Sequence, residues 1–432
     1  MGFYTAFLGS KAYQLFKDNS LPINYLNDKV KRILWVLHQT NLSKNKSIKA
    51  TINTKEHQNT ALKIAEEGIV LLKNKNILPI QPKKISKIAI IGDNATHLHA
   101  EAGGSSLIAP FYEISPLQGL KRFLGSDSSK ITFSQGYEVS KKQSINKKLW
   151  DEALENAKKA DVVLFFGGFV HGYSSNWNDN AFDAENIDKQ DIKLPFGQDS
   201  LIKAITKVNK NTIVILVSGG ACNMNYWIKS TKGVIQQWYA GMEGGTAIAN
   251  VIFGKTNPSG KLPVTFPVKL EDMSAHSKGN FLNDTLLNYH EGIYVGYRHF
   301  ETKKIKPLFE FGFGLSYTKF DFSNLQTEIS QEKILAKFDI QNTGNCFGAE
   351  VAQVYISKIN SETDRPSKEL KGFEKIDLKS SEKQNISIEI PIENLMYFDE
   401  KTNNWKLEKG LYMIEIGNSS RNILLKKSIV LN

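Results

Sequence analysis

One stretch of this sequence concentrates side chains that can move protons or grip a polyhydroxyl ligand. Between Gly167-Gly168 and Leu194-Pro195 lie His171, Tyr173, Trp177, Asp179, Asp183, Glu185, Asp188 and Asp191. Carboxylates accept hydroxyl hydrogen bonds or, when protonated, donate a proton. Aromatic rings stack on the apolar faces of sugars. On composition alone, the same residues fit a solvated acidic loop equally well. A second stretch, Gly103-Gly104-Ser105-Ser106, reads either as an anion-binding loop or as a tight turn. Other chemistries lack their motifs. The turn Ile91-Gly92-Asp93-Asn94 has none of the glycine pattern of a dinucleotide site, and no phosphate-binding G-x-x-x-x-G-K-[ST] occurs. His290-Glu291 begins like a zinc-protease helix, but Tyr294 stands where the second histidine belongs. No G-x-S-x-G nucleophile turn exists.

The elements that must position these residues follow from periodicity. Between about residues 60 and 270, helices alternate with short continuous apolar runs. Helices are expected over Thr60 to Leu72 (with Ala61, Ile64, Ala65 and Ile69 on one side), Trp150 to Lys159, Gln198 to Val208 and Gly245 to Phe253. Strands are expected at Lys87 to Ile91, Asp161 to Gly168, Thr212 to Val217 and Gly233 to Trp238. Apolar strands separated by helices indicate a parallel sheet covered on both faces. Ligands gather beyond the carboxyl ends of such strands, so the loops after Ile91, Phe166 and Val217 should share one functional edge. The loop after Phe166 far exceeds the two to six residues common for such connections, and long ordered loops tend to be functional.

From about residue 320 the period changes to two. Lys337 to Ile340, Val351 to Ile356, Gln384 to Ile390 and Gly410 to Gly417 alternate as half-buried strands do, which predicts a β-sandwich of about one hundred residues. Residues 268–318 show neither period. Their aromatic residues Tyr289, Tyr294, Tyr297 and Phe300 indicate a connector packed across the two domains. Near the start, Leu26, Val30, Ile33 and Leu37 mark one apolar face of a helix. Such a helix reads as the tail of something larger or as docked on the next domain.

Composition narrows the classes. The 432 residues predict about three domains, and 41% hydrophobic with 23% charged residues is ordinary for a globular protein. No apolar run approaches the ~20 residues of a spanning helix, so no membrane partner is expected. The net charge of +11 comes from lysines spread thinly, with only short clusters such as Lys83-Lys84 and Lys303-Lys304. That pattern predicts a solvated basic surface and no nucleic-acid partner. Cys222 and Cys346 match no metal spacing and are expected to be small buried hydrophobes, so neither metal nor cofactor is predicted. Met1-Gly2-Phe3 does not open a basic, then apolar, secretory leader, so none is expected in these residues, and localisation is left undetermined.

Collinear motifs then bring in a family. Ala65-Glu66-Glu67-Gly68-Ile69-Val70-Leu71-Leu72-Lys73-Asn74 and Ile90-Ile91-Gly92-Asp93-Asn94-Ala95 resemble the entry into the second domain of glycoside hydrolase family 3, a group with many β-glucosidases and β-xylosidases. Gly103-Gly104-Ser105-Ser106, with Ser115-Pro116-Leu117-Gln118-Gly119-Leu120, resembles its glycine–serine loop. Asp183-Ala184-Glu185-Asn186-Ile187-Asp188, followed by Leu194-Pro195-Phe196-Gly197-Gln198, resembles its acid/base loop. The series continues through Gly260-Lys261-Leu262-Pro263-Val264-Thr265-Phe266-Pro267, Glu291-Gly292-Ile293-Tyr294-Val295-Gly296-Tyr297-Arg298 and Phe311-Gly312-Phe313-Gly314-Leu315-Ser316-Tyr317. Lys368-Glu369-Leu370-Lys371-Gly372-Phe373 looks like part of its fibronectin type III-like module.

By this resemblance Glu185 is the general acid/base, and Trp177, Asp183, Asp188, Ser105 and Ser106 are candidates for contacting substrate or shaping the loop. Asn186 and Lys189 depart from the family's usual Gly and Arg. Retaining members use a second carboxylate ~5–5.5 Å away as nucleophile. In the family this is the aspartate of a Ser-Asp-Trp stretch in an N-terminal barrel; the triplet is absent here, since Ser126-Asp127 is followed by Ser128. The expected organisation is a remnant of the barrel's last helix in residues 1–45, an α/β sandwich in 46–267, a connector in 268–318 and a fibronectin type III-like sandwich in 319–432. The expected function is β-glycoside hydrolysis, with this chain supplying the acid/base half and the barrel supplied by another chain or by a longer parent; the expected partners are a β-glycoside or oligosaccharide substrate and a separate barrel chain or a homo-oligomer. The competing readings are a non-catalytic glycan-binding or decayed remnant and, from strand–helix alternation alone, a nucleotide-binding regulator. The sugar itself is not specified by the sequence.

Overall fold

The computed structural model describes residues 9–40, 51–100, 108–140, 144–171, 182–183, 189–277 and 288–432. The chain forms two units, Met1–Thr54 and Lys55–Asn432. In the first, α1 (Ser10–Lys17) precedes α2 (Ile23–Gln39). Pro22 stands at the N-cap of α2, before the first helical residue, and an Asp28–Arg32 pair at i,i+4 spans 2.8 Å. Leu26, Val30, Ile33 and Leu37 all fall within α2, as their spacing predicts.

The second unit begins with α3 (Lys55–Gly68) and β1 (Val70–Asn74). Here the expected helix Thr60 to Leu72 is corrected. The helix stops at Gly68, and the apolar run that follows becomes a strand running antiparallel to β8 (Gly233–Gln236), with Val70 opposite Gln236. The physical reason is that Ile69, Val70, Leu71 and Leu72 are all at most 2% exposed, which a helix with one wet face cannot provide. Ile64, expected on the buried face of the helix, is 68% exposed.

The remaining elements of this layer are β2 (Ile88–Ile91), α4 (Pro116–Leu124), β3 (Ile131–Ser134), α5 (Lys147–Lys159), β4 (Val162–Gly168), α6 (Gln198–Val208), β7 (Thr212–Val217) and α7 (Gly244–Ile252). A short parallel pair, β5 (Val170–His171) and β6 (Phe182–Asp183), stands outside the main sheet. The sheet order is β1-β8-β7-β4-β2-β3, parallel except for β1. Alternate residues of each strand feed two separate cores. Ala89, Ile91, Val163, Phe165, Val214 and Leu216 pack with Ala153 of α5 and Leu201 and Ile205 of α6. Ile88, Ile90, Leu164, Phe166, Ile213 and Ile215 pack with Leu120 of α4 and Ile248 and Val251 of α7. Each of the Val, Leu, Ile and Phe side chains among them contributes roughly 1.5–3 kcal/mol through burial. The parallel sheet covered on both faces, expected from the continuous apolar runs, is what the chain forms.

The connector carries a short helix, α8 (Tyr297–Thr302). Tyr297 stacks on Phe311 at 4.7 Å between ring centroids, and its hydroxyl accepts a hydrogen bond from the Leu370 amide at 2.8 Å. Tyr289, expected to pack, is instead 82% exposed. A three-stranded and a four-stranded antiparallel sheet then form the sandwich. The first has the order β13-β10-β9: β9 (Phe320–Ile329), β10 (Lys333–Asn342) and β13 (Lys383–Pro391). The second has the order β12-β11-β16-β17: β11 (Gly348–Lys358), β12 (Glu369–Leu378), β16 (Gly410–Gly417) and β17 (Ile423–Leu431). A hairpin of β14 (Tyr397–Asp399) and β15 (Asn404–Lys406) lies beside them. Ile334, Ala336, Phe338 and Ile340 face Ala352, Val354, Ile414 and Ile416 across the core.

The other face of β11 is also covered. Gln353 donates to the carbonyls of Gly312 (3.1 Å) and Asn418 (2.8 Å), and the Tyr355 hydroxyl donates to Gln353 at 2.7 Å. That second face explains why β11 does not alternate cleanly. Cys222 is buried, but Cys346 is exposed, against the expectation of two buried thiols. Among the described residues, no helix is long and apolar enough to cross a membrane, and no group of three or more His, Cys, Asp or Glu could hold a metal ion.

A buried ion pair joins the two layers. Lys261 lies 2.6 Å from Glu350, with side chains 12% and 5% exposed, and also donates to the Gly314 carbonyl at 2.8 Å. Asn418 donates to the second Glu350 oxygen at 3.0 Å. Removing one partner strands a buried charge, so Lys261→Met and Glu350→Gln are each expected to cost about 3–5 kcal/mol in urea unfolding. The double change Lys261→Met/Glu350→Leu should cost less than either single one. A loss below about 1 kcal/mol for both singles would show that the pair does not join the layers.

Candidate active site

Strands β2, β4 and β7 end at one edge, and two glycines let their backbones leave it side by side. Gly92, just after β2, has φ 115°, and a Cβ there would sit 2.0 Å from the Phe166 carbonyl oxygen. Gly168, the last residue of β4, has φ 133°, and its Cβ would sit 1.9 Å from the Val217 oxygen. Only glycine fits either position. Gln198 at the start of α6 is fully buried; it accepts from the Gly168 amide and donates to the Gly168 carbonyl, both at 2.8 Å. The amide side chain thus acts as an extra strand partner and sets the direction in which the long loop departs.

That loop returns as β6, where Asp183 meets several donors. Asp183 Oδ2 accepts from the Gly219 amide at 2.6 Å and from the Tyr239 hydroxyl at 2.6 Å. Its Oδ1 pairs with the Lys189 ammonium. Lys189 Nζ also sits 3.8 Å from the centroid of the Phe169 ring. Desolvation, and then the Asp183 carboxylate, hold the Tyr239 hydroxyl well above the ordinary phenol range, so it stays protonated and donating.

Around it lies a polar cleft lined by Asn94, His97, Glu113, Val217, Trp238 and Tyr239. Asp93 takes His97 Nδ1 at 3.2 Å and the Gln135 amide at 3.2 Å. The His97 and His99 rings are 4.6 Å apart, His99 is 5.1 Å from the Tyr239 ring, and His99 Nε2 lies 3.1 Å from Asn94 Oδ1. Glu113 accepts from the His99 and Ala100 amides at 2.8 and 3.0 Å, fixing the chain as it enters residues 101–107.

Of the side chains singled out by sequence, Asp183 is placed at this edge. Glu185, Trp177, Asp188, Ser105 and Ser106 lie outside the described residues. Sequence reasoning missed His97, His99, Glu113 and Tyr239. The rule about carboxyl ends of strands reaches Tyr239 once β8 is counted with its neighbours, because Tyr239 lies three residues beyond its end. Glu113 has no local signal: it lies fourteen residues from its partner His99.

Asp199, in the first turn of α6, was also missed. It accepts from Trp227 Nε1 at 2.6 Å and from the Leu194 amide at 3.3 Å. Burial pushes its carboxyl up to about 6 despite both donors.

Residues 69–317 match the model of the glycosyl hydrolase family 3 C-terminal domain, and residues 350–420 match a fibronectin type III-like domain. The chain belongs to glycosyl hydrolase family 3. It is 37% identical over 445 residues to beta-glucosidase BoGH3A of Bacteroides ovatus, spanning 98% of this chain and 58% of that protein. It is 35% identical over 428 residues to thermostable beta-glucosidase B of Acetivibrio thermocellus, spanning 98% and 54%. The crystal structure of a GH3 beta-glucosidase from Bifidobacterium adolescentis superposes with a TM-score of 0.86 at 30% identity, covering 99% of this chain and 60% of that one. The chain therefore spans little more than half the length of these relatives.

The raised Asp199 carboxyl gives a pH prediction. Its folded value of about 6 lies above the ordinary 3.8, so across that window the native state keeps a proton that the unfolded chain has released. Stability from this group is full at low pH and is lost as pH rises towards neutrality. Asp199→Asn keeps an acceptor for Trp227 without the charge. It is expected to stabilise the protein by on the order of 1–3 kcal/mol in urea unfolding at pH 8. That gain should disappear at pH 4; an equal gain at both values would refute the assignment.

Proposed function

We propose that this chain supplies the proton-donor half of a retaining β-glycoside hydrolase, with Glu185 as general acid/base and the nucleophilic carboxylate on polypeptide outside these 432 residues. The observation that carries this reading is the anchoring of Asp183 and Lys189 at the carboxyl edge of the sheet, with Glu185 between them in sequence. The family membership and the absence of a Ser-Asp-Trp triplet support it. The substrate class is a β-glucoside or β-xyloside, in keeping with the beta-glucosidases named among the relatives.

In the first step, protonated Glu185 gives its proton to the glycosidic oxygen as the bond from that oxygen to the anomeric carbon breaks. The nucleophilic carboxylate bonds to the same carbon, forming a glycosyl ester. In the second step, the Glu185 carboxylate takes a proton from water while the water oxygen attacks the anomeric carbon. The ester bond breaks, and Glu185 is protonated again. Trp177, Asp188, Ser105 and Ser106 are the groups proposed to contact the sugar, Trp177 by stacking. The partner is either a separate barrel-bearing chain or another copy of the assembly that carries one. No cofactor takes part in either step.

The purified chain is expected to show no turnover of a nitrophenyl β-glucoside. When combined with a polypeptide that supplies the nucleophile, it should hydrolyse alkyl β-glucosides, and Glu185→Gln should lower that kcat by about 10²–10⁴-fold. The loss should be smaller on nitrophenyl glucosides, whose leaving group needs little protonation. Vigorous hydrolysis by the isolated chain, abolished by Glu185→Gln, would overturn the division of labour. Glycan binding that survives Glu185→Gln but not Trp177→Ala, with no turnover in the combined system, would favour a non-catalytic glycan-binding protein.

A further inference from the structure

We propose that a cavity beside the start of α6, lined by Lys193, Asp199, Asn223, Asn225 and Tyr226, is a binding site for a neutral sugar. The site needs no catalytic step and no role for Glu185. Only the choice of a β-glucoside as its ligand rests on the substrate class proposed above.

The turn that presents three of these side chains is set by what lies behind it. Cys222, Met224 and Trp227 are fully buried, which fixes this run of the chain and leaves Asn223, Asn225 and Tyr226 lining the cavity. The Asn223 amide donates to the Ile192 carbonyl at 2.7 Å, and the Asn225 amide donates to Asn223 Oδ1 at 3.0 Å. The Asn225 side chain donates in turn to the Val268 carbonyl. On the opposite wall, Asp199 is held by Trp227 Nε1 and the Leu194 amide, and Lys193 by an ion pair with Asp191 at 3.0 Å. A wall tied down in this way spends little of a ligand's binding energy on ordering itself.

The lining selects the class of ligand. One ammonium and one carboxyl leave no excess of either sign, which disfavours a phosphate or a polyanion. The two asparagine amides carry both donors and acceptors, and the carboxyl accepts from hydroxyls. An apolar ligand would leave these groups unpaired. Tyr226 adds a ring that is 60% exposed, with the Lys203 ammonium over it at 5.7 Å from the centroid. A pyranose, with C–H groups on a face and hydroxyls around its rim, matches a ring flanked by amides and a carboxyl. The cavity measures about 500 Å³, inside the range of roughly 300–1,000 Å³ usual for small-molecule sites.

Nuclear magnetic resonance of the full chain, labelled at its indole nitrogens, reads this cavity locally, because Trp227 Nε1 donates to Asp199 at 2.6 Å. The Trp227 signal is assigned by its displacement in Asp199→Asn. Added cellobiose is expected to move that signal saturably. Tyr226→Ala should raise the concentration of half-saturation by about tenfold, the worth of one stacked ring. Tyr226→Phe keeps the ring and should stay within about twofold of the parent. Because Tyr226 is exposed, neither change should lower the urea midpoint, which serves as the control of folding.

A Trp227 signal that cellobiose leaves in place, or the same half-saturation in Tyr226→Ala as in the parent, would overturn the proposal. So would cellobiose binding that Trp177→Ala abolishes and Tyr226→Ala spares. None of these measurements involves turnover, so failure of the acid/base reading would leave them untouched. Indifference of the sugar to Tyr226 would sink this site whatever Glu185 does.

Discussion

A sheet buried on both faces leaves polar side chains few places to gather. In this chain the strands β2, β4 and β7 send most of their side chains into one apolar core or the other. Chemistry is therefore confined to the edge where the parallel strands end, and the backbone must turn away there without clashing. Gly92 and Gly168 make the turns sterically possible, and Gln198 gives the last peptide of β4 the hydrogen bonds that a further strand would have given. Everything polar that follows is anchored to that edge: Asp183 through Gly219 and Tyr239, and His99 through Asn94 and Glu113.

The organisation of that edge separates groups that hold from groups that are free to act. Tyr239 is kept as a donor by desolvation, and Asp199 is pushed towards neutrality while bound to Trp227 and the Leu194 amide. Both are committed to protein partners. So is Asp183, whose two oxygens meet Gly219, Tyr239 and Lys189.

The sheet's order of elements was legible because its strands are continuous apolar runs punctuated by glycine. The helix Gln198–Val208 and the strand Thr212–Val217 coincide with the sequence expectation to the residue. The sandwich was legible where strands alternate, as in β10 and β13. The failures have physical causes. Leu72 was assigned to a helix because Ala65 and Ile69 fit a helical step, but pairing with β8 prevails once Ile69 to Leu72 are buried on all sides. Strand β3 and helix α4 were missed: β3 is only four residues long, and α4 is signalled chiefly by the Ser115–Gln118 capping box. At the site, sequence indicated the loop and its carboxylates, because residue type carries chemistry. It gave no local signal for Glu113, whose role arises from distant segments meeting, and it reached Tyr239 only through that residue's place after β8.

The most direct test of the division of labour is covalent. A 2-deoxy-2-fluoro β-glucoside with a good leaving group forms its glycosyl ester readily but hydrolyses slowly, so the nucleophile of a retaining enzyme is labelled. Peptide mass spectrometry of the labelled, combined system should find the adduct on the polypeptide supplying the nucleophile and none on residues 1–432. A fluoroglucosyl ester on an aspartate or glutamate of this chain would contradict the account.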